Sequence, residues 1–304
     1  MRRLLRAVRN LMIAIAERCW ALGFGLAGRL AHPAARHWSS PGGMRVLAIA
    51  PHPDDEAIGC GGTLLRHRAC GDTVTIAYIT DGRRSRALGL GPEQMTARRR
   101  QEAMAGARAL GADHVEWLGL PEGEWAAAQL LPMLQGLLHT CALGVVYAPS
   151  RVDYHPEHCR VAEALALALA ELAPESRPLV RVYQVQVPLT RALTNLVADI
   201  SCVAAECAAA LDAYVTQRGN MGRALRQRRY AAAYFRLKRQ AEEFWELTAE
   251  QYVALHDDRH SCLGRAFRGL RFHSFSDPLA YLWGRSERRR LALLVANASA
   301  TALR

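Results

Sequence analysis

The strongest limit on the fold is set by a short polar segment, His52–Glu56 (HPDDE), that joins an apolar run to a helical pattern. The apolar run Val46–Ala50 predicts a buried β-strand, and residues 57–69 predict a helix. Pro51 and Pro53 restrict the backbone, so the loop between strand and helix is stiff. A histidine and two carboxylates therefore follow a strand directly, and open α/β sheets bind their ligands at such strand ends.

A second polar cluster, Asp153–His158 (DYHPEH), has the same setting about a hundred residues later. It follows the apolar run 145–147 and opens a helical pattern, in which His155 and His158 lie three residues apart on one face. Imidazole nitrogens and carboxylate oxygens suit zinc, and a spare carboxylate beside a metal suits a general base. Either cluster alone is explained by polar capping. The two at equivalent sheet ends predict a metal site.

Periodicity predicts an α/β fold in which a parallel sheet has helices on both faces. Strands are predicted at about 45–50, 73–79, 114–118, 144–148 and 180–187, and helices at about 57–69, 93–110, 126–140 and 157–173. The alternation of apolar and polar residues at 182–187 is typical of an edge strand. Further helices are predicted near 202–217 and 223–250, separated by a break at Gly219–Gly222.

The two clusters resemble the signatures of the PIG-L/LmbE-like N-acetylglucosaminyl deacetylases, which are zinc enzymes with a Rossmann-like fold. These signatures are a His-Pro-Asp-Asp-Glu loop, here at 52–56, and a His-x-x-His pair, here at 155–158. The resemblance extends over about 44–244. It includes the glycine-rich segment 59–62, Thr80-Asp81-Gly82, Arg99 with Glu102, Asp199–Ser201, Tyr214–Gln217 and Ala241–Phe244.

The resemblance implies a hydrolase that removes the acetyl group from an N-acetylamino sugar, in the form of an N-acetylglucosaminyl conjugate or a glycolipid. It implies that His52, Asp55 and His158 bind one Zn²⁺ per chain. Asp54 is implied as the general base, and His155 as the group that stabilises the oxyanion or donates a proton. A catalytically idle metal- or sugar-binding protein is the alternative, and the retention of Asp54 beside the ligands favours the enzyme.

The resemblance also implies that Arg99 and Glu122 contact the substrate. The alternative for Arg99 is an exposed side chain in the run Arg98–Arg100. Glu122 stands where the family commonly has an aspartate, which leaves the sugar contacts open. Glu157 also replaces an aspartate, at a position that is not a ligand.

The net charge of +11 is unevenly distributed. Residues 1–43 contain seven arginines and one acidic residue, and the run 218–239 contains no acidic residue. One interpretation is a solvated helix face, and the other is an anionic partner such as a phosphate-bearing glycolipid or an anionic membrane. Nucleic acid is disfavoured because no recognised binding motif accompanies the charge.

The predicted organisation is a basic amphipathic extension at 1–43, a Rossmann-like core at 44–190 and a mostly helical region at 191–304. The longest uncharged run of the extension, 19–28, is far shorter than the ~20 residues that span a bilayer. Three accounts of the extension stay open: a helix lying on the cytoplasmic membrane face, packing on the C-terminal helices, and a true start at Met44. The expected location is cytoplasmic, with peripheral contact to a membrane in the first account.

Overall fold

The computed structural model describes residues 2–31, 34–140, 142–153, 155–186, 189–257, 264 and 285–302. The strands are β1 (Arg36–His37), β2 (Arg45–Ala50), β3 (Thr73–Thr80), β4 (His114–Leu120), β5 (Val145–Ala148), β6 (Leu179–Val182), β7 (Leu196–Asp199) and β8 (Ala241–Leu247). The α-helices are α1 (Arg2–Ala31), α2 (Asp55–Gly59), α3 (Gly61–Ala69), α4 (Pro92–Ala109), α5 (Ala127–Thr140), α6 (Pro156–Ala170), α7 (Thr190–Leu193), α8 (Ala204–Asp212), α9 (Arg218–Phe235), α10 (Ala249–His256) and α11 (Arg285–Ala302).

The strands form one sheet in the order β1-β7-β8-β6-β5-β2-β3-β4. Strand β8 is antiparallel to both of its neighbours, and the other adjacent pairs are parallel. From β2 the chain proceeds outward through β3 and β4, and it then returns to β5 on the other side of β2. The direction of winding thus reverses between β2 and β5, and a crevice forms at the carboxyl ends of strands at such a point.

The side chains of β2 face two separate hydrophobic cores, one on each side of the sheet. Leu47 and Ile49 lie in a core with residues of α5, α6 and α10. Val46, Ala48 and Ala50 lie in the other core, with residues of α3, α4 and α8. Burial on both faces explains the continuous apolar run of the sequence. The predicted α/β fold with helices on both faces is confirmed.

The predicted fifth strand is shorter and lies elsewhere in the sheet. Strand β6 ends at Val182 and lies between β5 and β8, so the predicted edge position is wrong. Gln184 is buried, and its amide donates to the carboxylate of Glu243 at 3.3 Å. Gln184 is therefore polar because it pairs with Glu243 in the interior, and not because it faces solvent. Position 187 of the predicted strand lies outside the described residues.

The predicted helix at 223–250 is wrong in its second half, and the predicted break at Gly219–Gly222 is also wrong. Helix α9 runs through that glycine-containing segment, and β8 occupies Ala241–Leu247. The region after residue 190 therefore contributes β7 and β8 to the sheet as well as helices. The division of the chain at 43/44 and 190/191 stays a prediction.

Strand β8 ties the C-terminal part of the chain to the start of α3 through one carboxylate. The backbone N–H groups of Gly62 and Thr63 donate to Glu242 at 2.9 and 2.8 Å. The guanidinium of Arg228 also donates to Glu242. Because the first N–H groups of a helix have no partner within the helix, this carboxylate takes the place of an N-cap.

Helix α1 packs along α9 through part of its surface. The ring of Phe24 stacks on that of Tyr230 with centroids 5.1 Å apart. At Gly28 a Cβ atom would lie 1.9 Å from the carbonyl oxygen of Tyr234, so only glycine permits this close approach. The account in which the extension packs on the C-terminal helices therefore describes this part of α1. Among the described residues, no helix has the combination of length and apolar composition needed to cross a bilayer.

Candidate metal centre and active site

The two predicted polar clusters meet at the carboxyl ends of β2 and β5, which are neighbours in the sheet. His52 and Asp54 lie on the loop from β2 into α2, and Asp55 is the first residue of α2. His155 caps α6, and His158 lies in its first turn. The sequence prediction placed both clusters at strand ends, and the adjacency of the two strands brings them together.

Three side-chain atoms form a compact triangle at the centre of the site. Asp55 Oδ2 lies 3.2 Å from His52 Nδ1 and 3.1 Å from His158 Nε2, and the two nitrogens are 3.2 Å apart. Ligands of a tetrahedral metal ion at ~2.0–2.2 Å are about 3.3–3.5 Å from one another, so the donor atoms fit such an ion. The three histidines alone also form a potential ligand group, with ligand atoms within 4.8 Å of one another.

The charges of the triangle stabilise each other in the buried site. Burial opposes ionisation of Asp55, but His158 and His52 outweigh it and hold the pKa of Asp55 well below its usual value. Burial likewise lowers the pKa of His158, but the carboxylates of Asp55 and Asp153 outweigh burial and raise that pKa well above the usual value. The buried carboxylates of Asp55 and Asp153 therefore favour positive charge at this point, in the form of a proton on His158 or of a metal ion that displaces it.

Asp54 is buried beside the triangle in a strained conformation. Its φ is +140°, a value that non-glycine residues rarely adopt, and such strain is typical of functional sites. Its Oδ1 accepts a hydrogen bond from Arg99 Nη2 at 3.1 Å. Burial raises the pKa of Asp54 to about 6, although the guanidinium of Arg99 partly opposes this shift. Asp54 therefore has the location and proton affinity of a general base.

Arg99 is 2% exposed, so its interpretation as a solvated member of the arginine run is wrong. Besides Asp54, it donates to Thr216 Oγ1 at 3.3 Å and lies 3.9 Å from Glu102. Glu102 in turn accepts from the backbone N–H of Thr216. Thr216 and Glu102 thus hold the guanidinium of Arg99 in a position from which it donates to Asp54.

His155 stands at the edge of the triangle with one nitrogen committed. Its Nδ1 accepts from the backbone N–H of Glu157 at 3.3 Å, and its ring centroid lies 4.9 Å from that of His52. Burial, together with the nearby His158 and His52, lowers the pKa of His155 to about 4. With Nδ1 as acceptor, the proton of the neutral ring resides on Nε2.

A cavity of about 350 Å³ opens over these residues. Its lining includes every predicted site residue except the buried His158, namely His52, Asp54, Asp55, Arg99, Glu122 and His155. Glu122 accepts from the backbone N–H of Arg84 at 2.9 Å and lies 3.7 Å from His52 Nε2, a buried atom without a hydrogen bond. The structure thus brings all seven predicted residues to one place.

Comparison with known proteins places this geometry in a family. The family model of PIG-L, described as GlcNAc-PI de-N-acetylase, matches residues 47–169, which include both polar clusters. A conserved protein from Thermus thermophilus is 30% identical and has a TM-score of 0.55, and the match covers 66% of this chain and 93% of that one. The chain belongs to the PIG-L family.

Two further relatives extend the comparison. A probable N-acetyl-alpha-D-glucosaminyl L-malate deacetylase 2 from Bacillus anthracis is 28% identical over 143 residues, which are 44% of this chain and 62% of that protein. The N,N'-diacetylchitobiose deacetylase from Pyrococcus horikoshii has a TM-score of 0.60 at 21% identity, and the match covers 69% of this chain and 85% of that one; it shows the fold. This PIG-L chain spans less than two thirds of the length of the first curated relatives it matches.

Two site residues of this PIG-L chain were missed by the sequence prediction. Asp153 Oδ2 lies 2.6 Å from His158 Nδ1, and its other oxygen accepts from the backbone N–H of Gln186. A carboxylate on the second nitrogen of a ligating histidine fixes the ring and its tautomer. Thr216, the second such residue, fixes Arg99. Asp153 stood inside the recognised cluster and Thr216 inside the segment Tyr214–Gln217 of the resemblance, but no role was predicted for either residue.

Proposed function

We propose that this chain is a zinc-dependent hydrolase that removes the acetyl group from an N-acetylamino sugar, in an N-acetylglucosaminyl conjugate or a glycolipid. The proposal is carried by one observation: the triangle of His52, Asp55 and His158 lies beside buried Asp54 in a single cavity. Membership of the PIG-L family supports it, and so do the deacetylase names of the relatives.

His52, Asp55 and His158 would hold one zinc ion, since two imidazoles and one carboxylate form a donor set of catalytic zinc sites. When bound, the ion supplies Lewis-acid chemistry, which polarises a carbonyl group and lowers the pKa of a water molecule to ~7. Asp153 orients His158 through their hydrogen bond. His52 Nε2, which is not part of the triangle, lies 3.7 Å from a carboxylate oxygen of Glu122 at the cavity wall.

Asp54 takes a proton from the attacking water as the water oxygen bonds to the acetamide carbon. Arg99 orients the Asp54 carboxylate through its charged hydrogen bond. The C–N bond then breaks, and the proton passes to the leaving nitrogen. The second water proton passes from the acetic acid product to the amine. The reaction therefore consumes one water molecule and yields acetate and the amino sugar in its ammonium form, so atoms and charge balance.

His155 donates from Nε2, because its Nδ1 is occupied as an acceptor. A neutral donor in this position stabilises the negative charge that develops on the acetamide oxygen, or protonates the leaving amine. Glu122 at the cavity wall accepts hydrogen bonds from sugar hydroxyls. A catalytically idle binding protein is disfavoured, since binding alone requires neither a strained aspartate nor a buried arginine that orients it.

The test is turnover on a panel of N-acetylglucosaminides with the purified, zinc-loaded chain. Acetate and free amine should appear in equal amounts, and they should disappear when the metal is removed with a chelator and return when zinc is restored. Tight binding of an N-acetylated sugar without any acetate release would support the idle binding protein.

Arg99→Ala should lower kcat/KM by about 10–100-fold while zinc stays bound, since a hydrogen bond to a charged group contributes ~1.5–3 kcal/mol. Steady-state kinetics and elemental analysis measure the two effects. Arg100→Ala is the matched control, because Arg100 is exposed and stands over the ring of Trp117. Kinetics of Arg99→Ala equal to those of the parent would remove Arg99 from the site.

We further propose a cytoplasmic location with peripheral contact to an anionic membrane. The basic composition of residues 1–43 supports this proposal. We also retain the proposed division into an extension at 1–43, a core at 44–190 and a C-terminal region at 191–304. The further proposal below concerns the surface that would make the contact.

A further inference from the structure

The described apolar side chains of helix α1 lie on two faces, one of which is covered by α9. Phe24 and Ala27 pack with residues of α9. On the other side, seven apolar residues are between 47% and 75% exposed; these are Val8, Leu11, Met12, Ile15, Leu22, Leu26 and Leu30, called here the α1 stripe. The helix in the basic amphipathic extension expected from the sequence thus has a packed apolar face and an exposed one.

The α1 stripe is one continuous surface. Each member has another member three, four or seven residues away, and at 100° per residue all seven fall within about a 100° sector of the helix. From Val8 to Leu30 the stripe is about 33 Å long at 1.5 Å per residue. Exposed Cys19 fills its central gap. A contiguous apolar surface of this length is unusual on a protein and marks a site of interaction.

Exposed cations flank the stripe. Arg18 and Arg29 follow Ile15 and Leu26 by three residues each, so they lie along its edge. Arg236, Lys238 and Arg239 are exposed where α9 ends. Among the described residues, none of these five cations has an acidic side chain within salt-bridge distance. The surface therefore combines apolar area with unneutralised positive charge.

A groove of about 560 Å³ joins these two features. It lies between α1 and the end of α9, and Leu22, Leu26 and Leu237 line its apolar part. Arg29 and Arg236 line the same groove. An apolar floor between two cations fits an anionic head group that carries an acyl chain. A second copy of the chain fits less well, since a two-fold pairing of the stripe would bring its arginines together.

The direction of α1 relates the stripe to the cavity. Phe24 lies against Tyr230 and Gly28 against Tyr234, so the two helices run parallel. At this register Met12 is level with Arg218, the first residue of α9. Arg218 directly follows Thr216 and Gln217, which line the cavity. The N-terminal half of the stripe therefore lies at the end of α9 where the active site is.

We propose that the α1 stripe and its flanking cations bind the surface of an anionic phospholipid bilayer, with α1 in the plane of the interface. Amphipathic helices bind in this way through buried apolar area and electrostatic attraction. The inference specifies the surface behind the peripheral contact proposed above. It does not depend on the deacetylase chemistry.

Co-sedimentation of the full chain with vesicles tests the proposal. The chain should bind vesicles of phosphatidylcholine with phosphatidylserine, and it should bind less to phosphatidylcholine alone or in high salt. Leu22→Glu/Leu26→Glu should lower partitioning by about 100-fold, because each buried leucine contributes roughly tenfold. Arg29→Gln/Arg236→Gln should reduce the salt dependence. The matched control is Leu167→Glu/Leu293→Glu, which changes exposed leucines of α6 and α11 and should bind like the parent.

Equal binding by Leu22→Glu/Leu26→Glu and the parent would overturn the proposal, and so would the absence of vesicle binding. A parent dimer in solution that this variant abolishes, with no affinity for vesicles, would assign the stripe to a second copy. Deacetylation of a water-soluble N-acetylglucosaminide, measured without vesicles, should be the same in parent and variant. If neither the parent nor the variant released acetate, the proposed reaction would be contradicted. The proposal of vesicle binding would not be affected by that result.

Discussion

His158→Ala is expected to remove the bound zinc and to lower turnover by about 10³-fold or more, because the ion contributes several kcal/mol of transition-state stabilisation. His158 Nε2 is one corner of the atom triangle, and its Nδ1 pairs with Asp153. The change therefore deletes a ligand and removes one partner from each of the buried carboxylates Asp55 and Asp153. Elemental analysis of the purified variant and kcat on an N-acetylglucosaminide measure both losses.

Two further variants calibrate this result. Asp153→Asn keeps all three ligands but weakens the orientation of His158, so zinc affinity should fall by about 10–100-fold with part of the turnover retained. His114→Ala removes an exposed histidine at the start of β4 and should behave like the parent. Full zinc occupancy in His158→Ala would show that this histidine is not a ligand.

Asp54→Asn is expected to bind zinc like the parent and to lose about 10²–10⁴-fold in kcat, the usual contribution of a general base. The amide cannot take up a proton, but its oxygen can still accept from Arg99. Asparagine has nearly the same shape as aspartate, so it should preserve the loop, in which residue 54 has a φ of +140°.

The control for this variant is Asp212→Asn, the same chemical change at an exposed residue that ends α8. His155→Ala should resemble Asp54→Asn, with zinc retained and kcat reduced, since it removes the hydrogen-bond donor proposed to stabilise the negative charge on the acetamide oxygen. Parental turnover by Asp54→Asn on an authentic substrate would require a different base.

The sequence was sufficient to predict the α/β fold and the meeting of the site residues. The apolar runs before His52 and before Asp153 identify two strands, and the polar residues after them mark the carboxyl ends. Six of the seven predicted residues lie together because they follow parallel strands that end at the same edge of the sheet, and Arg99 reaches them from α4. The order of the strands, in which β5 is beside β2, became known only from the structure.

Contacts across long separations account for what the sequence did not reveal. Arg99 looks solvated within its arginine run, and its burial depends on Asp54 and Thr216, which lie 45 and 117 residues away. The wrong prediction of a helix over β8 also arises because long-range contacts decide the structure there. Glu242 and Glu243 resemble surface residues in sequence, but both are buried and paired with remote groups. The local pattern of apolar and polar residues does not identify partners that are distant in sequence.

The carboxylate of Glu242 has a consequence for the order of events during synthesis. It satisfies the N-terminal N–H groups of α3, which follows the metal loop, from a position 180 residues later in the chain. A nascent chain that already contains His52, Asp55 and His158 therefore still lacks this support. Long-range closure of this kind is slow to form. We expect the ribosome to release β8 before the loop becomes rigid, so that zinc is acquired late, by a nearly finished polypeptide.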